Sequence, residues 1–155
     1  MSAAPRFPVE LGYAGLTMTA DEYLALGETP ERYELIHGVV CMTPSPGADH
    51  GAIAVEVTSQ LRNAGFRAFA DIDLRLSPET VYRPDVCAYR RERIEGRIKR
   101  LPPAPDLVVE ILSPSNKALD LITKRADYER ADVGEYWVVD PDTLRFRCWR
   151  RVRFI

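Results

Sequence analysis

Leu107-Val108-Val109-Glu110-Ile111-Leu112 is the most hydrophobic run in the chain that reads as a strand. Its near-continuous apolar character predicts cover on both faces, as for an interior strand of a layered domain. Strand alternation sets Val108, Glu110 and Leu112 on one side, so a carboxylate points into an otherwise apolar layer. A charge there is costly unless it is paired or bound to a metal. Buried carboxylates favour functional sites, and the bland alternative is a structural ion pair with one of the many arginines.

The flanking segments give the architecture. After the run, Ser113-Pro-Ser-Asn116 caps a predicted helix from about Lys117 to Ala131, and Gly134 opens a further apolar strand, Glu135 to Asp140. Pro141-Asp142 turns into a last strand, Leu144 to Arg151. Before the run, a polar connection from Arg90 to Pro105 carries Arg90, Arg91, Arg93, Arg97, Lys99 and Arg100 against two glutamates. Val81 to Tyr89 reads as a strand containing Arg83-Pro84-Asp85, where the proline marks an edge, a bulge or an interruption. Phe66 to Ala70 and Ile72 to Leu76 read as one strand with an irregularity. A helix is expected from Asp49 or His50 to about Asn63, with Ile53, Val57 and Leu61 along one face. Tyr33 to Ile36 and Val39 to Met42 flank His37-Gly38 as a hairpin, and Thr19-Ala-Asp-Glu22 has the capping-box form for a helix from Ala20 to Leu26. The fold class is therefore α/β (α+β): one mixed sheet with helices on its faces, preceded by an N-terminal helix and β-hairpin. Residues 1–18 are expected to be a loose arm, and 19–155 a single domain.

Composition narrows the function. The 155 residues carry 21 Lys+Arg and 23 Asp+Glu, a net charge of −2. Residues 1–80 hold 5 basic and 11 acidic side chains, and residues 81–155 hold 16 and 12, so a polyanion should meet the second half. No apolar run reaches the roughly 18 residues of a membrane span. No secretory signal is recognisable, and three cysteines without Cys-x-x-Cys spacing suit reduced thiols, so a cytoplasmic location is expected. On the helix after the central strand, Asp120, Lys124 and Tyr128 recur at i, i+4 and i+8. Alone that spacing describes a solvated pair worth tenths of a kcal/mol. Its place after a strand bearing Asp85 and a strand bearing Glu110 makes it a candidate site.

In this order the motifs resemble the Uma-two family of restriction-endonuclease-like proteins, within the PD-(D/E)XK nuclease superfamily. The resemblance covers roughly residues 17–149 and rests on Arg32-Tyr-Glu-Leu-Ile-His-Gly38, Ser45-Pro-Gly-Ala-Asp-His50, Arg83-Pro-Asp85, Pro105 to Ser115, then Asp120, Lys124 and Tyr128, and Gly134 to Pro141. It implies a metal-dependent endonuclease acting on nucleic acid, with DNA as the expected substrate. Asp85 and Glu110 would ligate Mg2+ or Mn2+, the hard ions that oxygen ligands suit. Glu34 would be an additional acidic residue, a ligand or water orienter; as a strand residue it could equally face solvent. The superfamily's usual lysine position, two beyond the glutamate, is Leu112 here. Lys124 is the substitute that the family resemblance implies, with Lys117 the second candidate. His50 is a possible phosphate or ligand contact, and His37 reads as a turn substitution of little chemical consequence. The arginine-rich 90–100 segment supplies candidate nucleic-acid contacts. Arg145, Arg147, Arg150 and Arg151 suit either an outer strand or a cationic face. A homodimer is expected only by analogy with nucleases that cut both strands. The competing functions are a non-catalytic nucleic-acid-binding or assembly module on the same fold, and an unrelated domain with a structural Glu110 ion pair.

Overall fold

The computed structural model describes residues 12–151. It contains α1 (Ala20–Ala25), β1 (Tyr33–Ile36), β2 (Val39–Met42), α2 (Ala48–Asn63), β3 (Phe66–Ala70), β4 (Leu74–Ser77), β5 (Thr80–Tyr82), β6 (Val86–Arg90), β7 (Leu107–Ile111), α3 (Arg125–Arg130), β8 (Glu135–Asp140) and β9 (Arg145–Arg150). The strands form two sheets rather than the single one expected. A four-stranded sheet has the order β2-β1-β5-β4, and a five-stranded sheet has the order β3-β6-β7-β8-β9.

Besides the passage through α2 from β2 to β3, two short crossings divide segments that read as single strands. Phe66 to Leu76, expected as one irregular strand, leaves the five-stranded sheet after Ala70 and enters the other at Leu74. Val81 to Tyr89, also expected as one strand, is interrupted at Arg83-Pro84-Asp85 and crosses back. Pro84 has no N–H to offer a ladder, which makes it a suitable residue for the crossing. Asp85 thereby sits at the mouth of β6, directly beyond the seam.

In the five-stranded sheet β7 lies centrally, antiparallel to β6 and parallel to β8. All five of its residues are buried, as the apolar run predicted. Leu107, Val109 and Ile111 pack towards α2 with Leu61, Ala68 and Val86. Val108 and Leu112 pack on the opposite side with Tyr128, Tyr136 and Val138, and with Leu74 and Tyr82 of the other sheet. Each fully buried Val or Leu contributes about 1.5–3 kcal/mol, so this two-sided packing fixes β7 and the direction of Glu110. At the start of β8, a Cβ on Gly134 would lie 2.7 Å from the Asp106 carbonyl oxygen. Only glycine permits that approach, which lets Gly134 and Glu135 donate to the carbonyls of Pro105 and Asp106 and sets the parallel register.

The crossover from β7 to β8 carries the expected 117–131 helix, but its first part, Leu119–Lys124, is a wider π-type turn that runs into α3. Such insertions are rare and concentrate at functional sites. At the N-terminal end, Thr19 and Glu22 form the predicted capping box on α1. The β1–β2 hairpin turns at His37 and Gly38, whose φ values of 48° and 84° are the left-handed pair a tight hairpin needs. Of the arm expected over 1–18, residues 1–11 lie outside the described residues. Residues 15–18 run against β2, with Gly15 donating to Val40, Val40 to Leu16, and Met18 to Gly38.

Candidate active site at the sheet seam

An open cleft of 380 Å3 lies where the two sheets meet, and Glu34, His50, Asp85, Glu110, Asp120 and Lys124 all line it. At its floor, the Lys124 ammonium donates to Glu34 Oε1 at 2.9 Å and to Glu110 Oε1 at 3.0 Å, and stands 3.8 Å from Asp120 Oδ1. It also lies 5.0 Å from the centre of the Tyr82 ring. Tyr128 donates its hydroxyl to Glu110 Oε1 at 2.7 Å. Glu34, Glu110, Asp120, Lys124 and Tyr128 are all at most 5% exposed. Sequence spacing had brought Asp120, Lys124 and Tyr128 together, and the structure adds Glu34 from the other sheet. Glu34 is not the solvent-facing strand residue its position also allowed: it is buried and accepts the Arg83 backbone N–H at 2.8 Å.

Asp85 is held beside this group. Its Oδ2 accepts the Ile111 N–H at 2.7 Å and lies 3.3 Å from His50 Nε2, while its own N–H points to Glu110 Oε2 at 3.4 Å. The peptide groups at the start of β6 and the end of β7 thus fix both carboxylates against each other. His50, in the first turn of α2, contacts Asp85 at the cleft wall.

The electrostatics are those of concentrated buried acid. Burial drives the Glu110 carboxyl well above its usual range; Lys124 opposes this, and Asp85, Asp120 and Glu34 add to it. Burial likewise raises Asp120 to about 7, against the pull of Lys124. Burial disfavours the Lys124 ammonium, yet Glu110, Glu34 and Asp120 outweigh it and raise its pKa, so it stays charged. Burial opposes ionisation of Asp85 too, but the hydrogen bonds from His50 and Ile111 prevail and lower its pKa. The Asp85 contact in turn raises His50.

Four carboxyl groups converge on one ammonium, and burial makes two of them, Glu110 and Asp120, reluctant to ionise without a further positive charge. Oxygen donors of this kind suit a hard dication. Among the described residues no three His, Cys, Asp or Glu side chains are gathered into a ready-made cage. Asp85 and Glu110 are the carboxylates at the cleft that could take part in holding such an ion.

Residues 20–153 match the Uma2 family, described as "Putative restriction endonuclease". The chain belongs to the Uma2 family. Among solved structures, this Uma2 chain is similar to a "putative nuclease belonging to DUF820" from Anabaena variabilis ATCC 29413, with a TM-score of 0.73 and 26% identity over 86% of this chain and 79% of that one. No curated protein matches it. The α+β restriction-endonuclease-like fold is thereby confirmed, with two sheets in place of one.

Other expected residues fall elsewhere. Leu112, at the superfamily's usual lysine position, is packed in the core, and Lys117 is exposed and outside the cleft lining. Arg90, Arg91, Arg93, Arg97, Lys99 and Arg100 are exposed, and none lines the cleft. Their segment leaves from the far end of β6, about 17 Å from Asp85 at the usual strand rise. Arg145, Arg147 and Arg150 lie on the outermost strand of the sheet, with Arg150 paired to Glu135.

Four residues escaped the sequence reading. Arg32 and Arg83 line the cleft and share the carboxylate of Asp71. Asp127, buried on α3, accepts from the Tyr82 hydroxyl at 2.5 Å and sits 2.8 Å from His37 Nε2. His37 is therefore more than a turn substitution, because it ties the hairpin to the helix that bears Lys124. The usable signal was Asp127 at i+3 from Lys124, on the helix side that faces Tyr82.

Proposed function

We propose that this Uma2 protein is a divalent-metal-dependent endonuclease that hydrolyses phosphodiester bonds in DNA. The observation that carries the reading is the cluster at the cleft floor: Asp85 and Glu110 fixed together at the β6–β7 junction, with a buried lysine bonded to Glu110. Asp85 and Glu110 would hold Mg2+ or Mn2+. A bound ion of this kind supplies polarisation of the phosphodiester and acidification of a water.

The protein's own side chains have separable roles. Asp85 stays ionised through the Ile111 N–H and His50, so a negative oxygen faces the cleft across the working pH range. Lys124 brings a permanent positive charge to the same point, suited to offsetting charge that develops on the phosphorus oxygens. Glu34 and Asp120 are positioning residues for that ammonium, and Tyr128 orients Glu110. His50 holds Asp85. The 90–100 arginines would reach an outer stretch of a bound duplex rather than the reacting phosphate. A symmetric dimer would let two such clefts address two strands.

The test pairs binding with turnover. Mn2+ titrated into the protein and followed by electron paramagnetic resonance should show one tight site that Asp85→Asn removes. Double-stranded, single-stranded and branched DNA should then be cut in Mg2+ or Mn2+. Salt-dependent DNA binding without metal binding or cleavage would favour the non-catalytic module instead.

A further inference from the structure

The cleft floor is acidic, and its lysine is buried among carboxylates at the reacting position. A polyanion entering the cleft therefore needs cations nearer the mouth. Among the described residues, Arg32 and Arg83 are the only arginines that line it. They come from different places in the sequence: Arg32 immediately precedes β1, and Arg83 sits in the crossing from β5 to β6. Asp71, in the other crossing, brings them together. Its Oδ1 lies 2.6 Å from Arg32 Nη2 and 3.2 Å from Arg83 Nε, and its carbonyl oxygen accepts from Arg83 Nε at 3.1 Å. Asp71 adopts a left-handed φ of 59°, a conformation aspartate tolerates better than most residues.

The pairing is incomplete. Asp71 Oδ1 is sealed from solvent, yet neither guanidinium approaches it along a well-aligned N–H. Two guanidinium groups carry ten N–H donors between them. The directed bonds within the described residues are few: Arg83 Nε to the Asp71 carbonyl, and Arg32 Nη2 to the Arg83 carbonyl at 3.5 Å. Both residues line the cleft, and Arg32 Nη2 is only 3.9 Å from Asp85 Oδ1. Paired arginines with unused forks are suited to the oxygens of a phosphate.

We propose that Arg32 and Arg83 form a binding subsite for a backbone phosphodiester next to the one cut, with Asp71 competing for the same guanidinium donors until nucleic acid enters. This rests on the nuclease reading of the cleft. The subsite would place the neighbouring phosphate within reach of Asp85 and so set which bond lies over Glu110 and Lys124.

Fluorescence anisotropy of a short labelled DNA duplex, with Ca2+ in place of Mg2+ and across a series of KCl concentrations, tests it. Arg32→Gln and Arg83→Gln should each bind roughly tenfold more weakly, the effect of one lost charge-assisted contact. Each should also show a salt slope shallower by about one. Asp71→Asn should bind more tightly than the wild type, a direction no folding defect produces. Single-stranded DNA and RNA of the same sequence run alongside should show the same arginine dependence if the contact is to the phosphodiester itself. Glutamine variants that melt like the wild type and keep its affinity and salt slope would overturn the subsite, as would weaker binding by Asp71→Asn. A wild type that cuts DNA while those variants bind normally leaves the nuclease reading standing and removes only this inference. A wild type that neither binds nor cuts any of the three nucleic acids removes both.

Discussion

The two ends of β6 show what the fold does with charge. At the Asp85 end, acidic side chains are buried beside named partners and drawn from both sheets and the crossover segment. At the Arg90 end, basic side chains are exposed; Arg93 pairs with Asp106, and Arg90, Arg91, Arg97, Lys99 and Arg100 make no ion pair within the described residues. Net charge along the sequence marks the second end. Burial marks the first, because a desolvated carboxylate must be offset locally, whereas an exposed arginine is screened by water and salt.

If this contrast is right, substitutions at the two ends should differ by orders of magnitude. The largest effect is expected from Lys124→Met. Removing the ammonium leaves Glu34, Glu110 and Asp120 unpaired, which should cost about 3–5 kcal/mol of stability by chemical denaturation. A divalent ion should restore part of it. Tyr128→Phe is milder: Glu110 loses one buried hydrogen bond, worth about 1–3 kcal/mol, and the fold should survive. At the other end, Arg91→Gln or Arg97→Gln should change stability by no more than about 0.5 kcal/mol. A large stability loss there would break the comparison.

The acidic end should also have a pH signature. Asp120 has its carboxyl raised from 3.8 to about 7, mainly by burial. A raised carboxyl binds its proton more tightly in the folded state, so its contribution is complete below 3.8 and is lost as pH rises towards 7. Stability of the wild type relative to Asp120→Asn should therefore decline across that interval, measured by urea denaturation at a series of pH values. A flat difference would mean that Asp120 is solvated in the folded protein.

The sequence made Glu110 and Tyr128 visible because each lies on a regular element whose period fixes its direction, and Lys124 because it directly precedes α3 at helical spacing from Tyr128. A carboxylate interrupting an apolar strand and a lysine at helical spacing are readable for that reason. Arg32, Asp71 and Arg83 were not, since they stand at crossings where no period applies and their association depends on two sheets meeting. The same crossings hid the division into two sheets. Val81 to Tyr89 looks continuous because both halves are buried, and only Pro84 marked where one sheet ends. The π-type turn that ends at Lys124 had no signal, because nothing in Leu119 to Lys124 distinguishes it from an α-helical turn.

Plasmid cleavage in Mg2+, comparing the wild type with Glu110→Gln, tests the central claim most directly. Glutamine keeps the size of the side chain and can still accept from Lys124 and Tyr128, so the cleft should stay assembled. The wild type should cut, and the variant, folded and melting as a single species, should lose at least about a thousandfold of the rate, equivalent to about 4 kcal/mol of transition-state stabilisation. A folded wild type that leaves DNA intact in both Mg2+ and Mn2+, or a Glu110→Gln variant that cuts at the same rate, would contradict it.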